Sequence, residues 1–354
     1  MSSFSRRNFV KTSIAGGLGA TMFGSCKSST ATAGQIQPIP SDVCITTGDN
    51  RADMVFRALQ PFSKQISQSI GQKQVVLKPN MVSIDIPLCA THVDTLEGIL
   101  EFMKSIGKLD QCIIAESSAQ GPALEGFSNY GYMRLFDTYP TVKPIDLDET
   151  SLERVYALNE RDYGLNAVRV PSMLLDNNSY VVSVSRMKTH NAVVATLSLK
   201  NIVMGAPVKD IGFVSGPNRK PGLINDKRFV HNGSPVNLNY NLFALAPRLH
   251  PHLAIIDGFE GMEGNGPNRG TPVDHRVCVT SLDWLAADRV GVELMGLDIA
   301  KVRYLNFCNE AGFGVGDIDK IKIIGEPISA HIKKYKLSDN IEDQLNWMNS
   351  DFAL

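Results

Sequence analysis

Residues 181–207 read VVSVSRMKTHNAVVATLSLKNIVMGAP. With Tyr180, the run to Val184 is β-branched and apolar, which predicts a buried strand. Ser185-Arg186-Met187-Lys188-Thr189-His190-Asn191 breaks that run into a polar turn. Ala192–Met204 then has the length of a helix, with Lys200 and Asn201 inside it. Strand, polar turn and helix in succession is how an open α/β sheet presents chemistry at the carboxyl ends of its strands. Lys200 shares a helical stripe with Val193, Thr196, Leu197 and Met204, and the other faces are mostly apolar. A helix apolar all round is a buried helix. A buried ammonium needs an anionic partner, from the protein or from a ligand, or a lowered pKa. Lys200 is therefore either one half of a structural ion pair or a group that faces a ligand.

Alternation of apolar runs continues on both sides. Strands are predicted at Val43–Thr46, Gln74–Leu77, Cys112–Ala115, Val142–Leu147 and Arg154–Leu158, and later at Leu253–Ile256, Val277–Ser281 and Lys320–Ile324. Helices are predicted at Arg51–Ile70, His92–Ile106, Gly126–Phe136, Asn237–Leu249, Trp284–Met295 and Lys301–Ala311, with terminal helical pieces at His331–Lys336 and Glu342–Met348. This pattern predicts an α/β fold with a largely parallel, doubly wound sheet. Two lobes at 40–150 and 180–328 with a cleft between them fit the spacing. Val208–Pro235 is a long Gly-, Pro- and Asn-rich connection carrying Lys209, Arg219, Lys220, Lys227 and Arg228, of the kind that forms binding loops.

The chain has 354 residues, 43% hydrophobic and 20% charged, with a formal net charge of −1. That is an ordinary soluble composition, with no basic stripe or aromatic motif for nucleic acid. Ser5-Arg6-Arg7-Asn8-Phe9-Val10-Lys11 looks like a twin-arginine export signal. Phe23-Gly24-Ser25-Cys26 looks like a lipobox, which would make Cys26 the lipidated first residue of an envelope protein held at a membrane surface. Ordinary cleavage after Ala33 is the alternative, and residues 1–33 are set apart from a single domain at 34–354. The other cysteines, at 44, 89, 112, 278 and 308, include no CxxC pair. No iron–sulfur cluster is expected from them.

Polar residues gather where strands end: Lys78 and Asn80, Glu116 and Ser117, Lys188 and His190, Asp257 and Glu260, and Asp283. In a doubly wound sheet such ends lie along one edge. His190, Glu116 and Lys200 are the candidate catalytic residues. Lys78, Asn80, Lys188 and Asn201 are the candidate substrate contacts. Gly264 and Gly266 join them as amides of an anion-binding nest. Asp257 and Glu260 could offer oxygens to a divalent metal ion. Asp283 is expected to cap the Trp284 helix. Asp288, on that helix's apolar stripe, needs a partner; Lys200 and Arg186 are the candidates, and a pair with Lys200 across the core is expected.

The runs VLKPN at 76–80 and SRMKTHN at 185–191, Leu199-Lys200-Asn201 with Gly205, Asp257-Gly258 with Gly264-Asn265-Gly266-Pro267, and Asp283 with Asp288 occur together and in this order. As a set they resemble the domain of unknown function family 362, over most of residues 74–325. Many relatives append a four-iron cluster module whose cysteines this chain lacks. A more distant likeness is to the nickel-pincer lactate racemases, in the spacing of His190, Lys200 and Gly205. Thr196-Leu197-Ser198-Leu199 stands where those enzymes have glycine pairs. The likeness implies a two-lobed α/β enzyme with a cleft for a small anionic substrate.

The expectation is an exported enzyme, isomerase- or lyase-like, acting on a small anionic metabolite. No Gly-x-Ser-x-Gly motif points to a hydrolase. A non-catalytic ligand-binding lipoprotein and a redox-associated subunit without its own cluster are the alternatives.

Overall fold

The strands are β1 (Ser41–Thr47), β2 (Gln74–Pro79), β3 (Cys112–Glu116), β4 (Lys143–Asp146), β5 (Leu152–Leu158), β6 (Leu165–Pro171), β7 (Ser179–His190), β8 (Val194–Thr196), β9 (Leu253–Asn265), β10 (Arg269–Ser281) and β11 (Ile321–Gly325). They come from a computed structural model that describes residues 41–349 except 160, 163, 215–219 and 232. The twin-arginine segment and Cys26 lie outside the described residues. Nine strands form one sheet in the order β11-β1-β10-β9-β7-β2-β3-β4, with β8 paired to β7. The block β9-β7-β2-β3-β4 is parallel throughout. This is the expected α/β architecture. β5 and β6 pair separately as an antiparallel hairpin.

Alternate residues of each strand enter opposite cores. Val76, Ile113, Val181, Ala254 and Ile256 pack with Leu199, Ile202, Leu238, Leu285 and Val290 on one face. Val75, Leu77, Ile114, Val182, Leu253 and Ile255 pack with Met54, Val55, Leu59, Leu96 and Ile99 on the other. Strands buried on both faces read as continuous apolar runs, which is why these segments were legible. Strands from both predicted lobes share this one sheet, and Pro40–Leu345 forms one compact unit. In the other unit, the described residues comprise a single turn, Asn346–Asn349.

Several expectations need correction. The helix expected over Arg51–Ile70 is two, Arg51–Leu59 and Ser63–Ile70, joined by a tight turn at Gln60–Phe62. Pro61 lies in that turn and has no amide to donate to the turn before it. The residues from Ser185 onward are not a turn but the second half of β7, which runs twelve residues to His190. Arg186 donates to Ala90 O at 2.7 Å, and Thr189 Oγ1 to Gly264 O at 2.9 Å. With such partners, polar side chains can be buried within a strand. The chain turns at 191–193, returns as β8, and the helix is only Ser198–Gly205. The Gly-rich run after Asp257 is likewise no loop: β9 and β10 extend through it as an antiparallel hairpin.

The chain order reverses beside β2. β3 and β4 lie on one side of it, and β7 and β9 on the other. Ligands of open α/β sheets bind outside the carboxyl ends of the strands at such a switch point. β2 ends at Pro79, β3 at Glu116 and β7 at His190. Among the described residues, no helix is long and apolar enough to cross a membrane.

Candidate functional site

At the ends of β2 and β3, Lys78 and Glu116 form a buried ion pair. Lys78 Nζ donates to both Glu116 oxygens, at 2.8 and 2.9 Å, and to Pro79 O at 3.2 Å. The Ser117 amide adds a bond to Glu116 Oε1 at 2.8 Å. Burial pushes the Glu116 pKa up, and Lys78 opposes it. Gly205, the last residue of the Ser198–Gly205 helix, closes over the pair. A Cβ there would lie 2.1 Å from Lys78 Nζ. Lack of space, not backbone conformation, requires glycine at this point. Gly205→Ala should therefore push the Lys78 ammonium off Glu116 and destabilise the protein by about 1–3 kcal/mol. Chemical denaturation checks this, and an unchanged midpoint would contradict the packing.

Lys200 rises from the same helix into a cavity of about 280 Å³ that Lys78, Glu116, His190, Thr196, Asn201, Lys227, Arg228 and His231 also line. Only 5% of Lys200 is exposed, and among the described residues no acceptor pairs with its ammonium. Burial, then the nearby Lys188, lowers its pKa to about 7. His190 Nδ1 accepts the Ala192 amide at 3.0 Å. Its ring proton therefore sits on Nε2 in the neutral imidazole. Burial, Lys200, His231 and Lys188 hold His190 well below the usual histidine pKa. The His231 ring lies 6.1 Å from it, centre to centre. Thr196 Oγ1 is buried without a partner among the described residues.

Two networks hold this wall in place. Lys188 donates to Asn80 Oδ1 and, at 3.2 Å, to Cys89 O. Asn80 Nδ2 donates to Asn201 Oδ1 at 3.1 Å, and Asn201 Nδ2 donates to Lys78 O at 3.2 Å and Ser183 Oγ at 3.1 Å. Each amide is oriented by the donor or acceptor behind it. On the opposite side, Lys227 donates to Ser117 Oγ at 3.0 Å, Gly205 O at 3.1 Å and Pro207 O. Burial brings its pKa to about 7. Among the described residues, four basic side chains, of Lys78, Lys200, Lys227 and Arg228, thus face one carboxylate, Glu116. Such a surplus suits an anion.

A model of a domain of unknown function, DUF362, matches residues 75–293. The chain belongs to this family. The matched span contains every cavity residue named above. The thylakoid-associated protein sll1697 of Synechocystis sp. is 24% identical over 232 residues. That alignment covers 65% of this chain and 65% of the relative's own length.

In this DUF362 chain, His190, Glu116 and Lys200 come together at the cavity, with Lys78, Asn80 and Asn201. Lys188 does not line it and lies behind Asn80, which accepts its ammonium. Gly264 and Gly266 do not line it either. Gly264 pairs with Gly270 in the β9–β10 hairpin, and Gly266 packs against Thr189 O, where a Cβ would lie at 2.0 Å. Asp257 is occupied by Thr95 Oγ1 at 2.6 Å, the Phe259 amide at 2.9 Å and Arg51 at 3.5 Å. Glu260 pairs with Arg186 at 3.2 Å. Among the described residues no three His, Cys, Asp or Glu gather to hold a metal ion.

Asp288 does not pair with Lys200. Its oxygens accept the Ser198 amide at 2.7 Å, Ser198 Oγ at 2.5 Å and the Leu199 amide at 3.0 Å. A carboxylate at a helix start meets free amides and the positive end of the dipole. Lys200 projects from the side of the same helix instead. Asp283 caps the Trp284 helix as expected, through Leu285 and Ala286 at 3.0 and 3.1 Å.

Sequence reasoning missed His231 and placed Lys227 and Arg228 only as loop charges. All three sit on or beside the short helix Lys227–His231. The one available signal was their spacing, which puts Lys227 and His231 on one helical face.

Proposed function

We propose that this chain is an α/β enzyme that binds a small anionic metabolite in the Lys200 cavity and moves a proton on it, as isomerases and lyases do. The observation that carries the reading is the unpartnered, buried Lys200 amine beside a neutral imidazole, in a cavity with surplus positive charge. Lys227 and Arg228 attract the anion. His190 donates from Nε2 to a substrate oxygen. Lys200, near neutral in proton affinity, takes up or returns the proton. Asn80 and Asn201 orient the Lys78 side of the site. The Lys78–Glu116 pair supplies a fixed dipole. A cavity of about 280 Å³ suits a small metabolite.

Anion affinity should fall as pH rises, because Lys200 and Lys227 lose their charge near pH 7. Calorimetric titration with lactate and malate should show about tenfold weaker binding or more at pH 9 than at pH 6. Affinity independent of pH, or no binding of either, would reject the anion site. Tight binding without turnover across a carboxylate panel would assign a receptor role instead.

The proposed location is the cell envelope, with a lipid anchor at Cys26 after twin-arginine export. Its support is the sequence of residues 5–26 and the thylakoid association in the relative's name. Cys26→Ser should move the protein from the membrane to the soluble fraction of its host. Retention in the membrane fraction would refute the anchor.

A further inference from the structure

Among the described residues five lysines are buried: Lys78, Lys188, Lys200, Lys209 and Lys227. Four have acceptors. Lys78 has the Glu116 carboxylate, Lys188 has Asn80 and Cys89, Lys209 has Asp148 and Ser118, and Lys227 has Ser117 and two carbonyls. Lys200 stands apart, with no acceptor among the described residues. A buried ammonium without partners is strongly disfavoured, while a neutral amine in the same place is tolerated. Thr196 also lines the cavity. His190 Nε2 also has no partner among the described residues. An amine and a ring N–H therefore line one space with their hydrogen-bonding capacity unspent.

We infer that Lys200 is a covalent attachment point, its Nζ forming an imine with the carbonyl carbon of a small oxo acid whose carboxylate lies against Lys227 and Arg228. This deepens the anion-site reading above and rests on it. The ammonium first releases one proton, and the free amine adds to the carbonyl carbon, forming the C–N bond. The nitrogen passes one proton to the carbonyl oxygen, giving a hydroxyl held by His190 Nε2–H, and the proton released first joins that hydroxyl, which leaves as water. The net change is R₂C=O + R′NH₃⁺ → R₂C=NHR′⁺ + H₂O, which balances in atoms and charge without any outside reagent. A lysine desolvated beside another cation is the kind activated for this step. Burial and Lys188 create that setting here. The iminium would then draw electrons from the adjacent carbon, where an isomerase or lyase breaks its bond.

Reductive trapping tests the inference. The purified full chain is incubated with sodium cyanoborohydride and, separately, pyruvate, acetoacetate or 2-oxoglutarate, then analysed by intact mass and peptide mapping. One adduct is expected on Lys200, forming at least about tenfold faster than on any other lysine. It should be absent from Lys200→Arg, with folding of that variant confirmed by circular dichroism. No Lys200 adduct with any of the three acids, or labelling spread evenly over surface lysines, would overturn the imine. Calorimetry with lactate and malate, which have no ketone, separates the two levels. If they bind while Lys200 stays unlabelled, the imine falls and the anion site stands. If they fail to bind and Lys200 stays unlabelled, both fall.

Discussion

Lys78→Met should destabilise the chain by about 3–5 kcal/mol, because it strands the Glu116 carboxylate in a site with almost no solvent. The pair is 1% exposed on each side, and Lys78 Nζ reaches both carboxylate oxygens within 2.9 Å. The double variant Lys78→Met/Glu116→Leu should recover most of that loss, since it removes both charges together. The loss in Lys78→Met should also shrink at acid pH. Burial already raises the Glu116 pKa, and without the lysine that effect is unopposed at this position. A carboxyl whose folded pKa lies above its unfolded value binds protons more readily when folded. Its penalty is therefore present above the folded pKa and fades as pH falls through it. Urea denaturation of the two variants between pH 5 and pH 8 measures all of this. A single variant as stable as the parent would mean that the pair is not the anchor of this wall.

Lys200→Met should act in the opposite direction. Each tenfold change in proton affinity is worth about 1.4 kcal/mol, and Lys200 is brought from 10.5 to about 7. Holding that group inside the fold at neutral pH therefore weakens the native state. Methionine, of similar length and without charge, should raise stability by about 1–4 kcal/mol while abolishing any chemistry that needs the amine. The pH dependence follows from the same shift. Between about pH 7 and 10.5 the unfolded chain holds more protons on this lysine than the folded one, so native stability rises with pH across that window. Lys227, at about 7, and Lys188, at about 8, add to the slope. Lys200→Met should remove the share that belongs to Lys200. Unchanged stability with an unchanged slope would show that the ammonium is compensated. A stabilised but inactive variant would mark Lys200 as kept for function at the expense of stability.

Part of the site was legible because strand ends carry residues that the strand itself does not need. Lys78, Asn80, Glu116 and His190 each follow an apolar run, and the sheet's parallel order brings them to one edge. Lys200 stood out by its company, a charge amid Leu199, Ile202 and Val203. The pairing of Lys200 with Asp288 failed because both readings treated charge alone. Asp288 found backbone amides, which the sequence does not display as partners. Gly264, Gly266, Asp257 and Glu260 looked chemical because glycine and carboxylate density is common to loops and sites. Their true setting is a long hairpin, whose extent depends on pairing between β9 and β10. Lys227 and His231 were hidden for a related reason. They approach the cavity from a segment whose path is set by contacts with distant residues such as Ser117 and Pro207.

The stretch at 181–207 shows where the division falls. Its sequence alone determined that an apolar strand leads into polar residues and then into a buried helix bearing a lysine, because burial on both faces demands an unbroken apolar run. Only the tertiary structure decided that the polar residues remain in the strand, since their partners come from Ala90, Asn80 and Gly264. It likewise decided that every other buried lysine among the described residues is satisfied while Lys200 faces an open cavity. Charge compensation is a property of what the folded chain brings within about 3 Å of a group, and no local pattern of residues contains it.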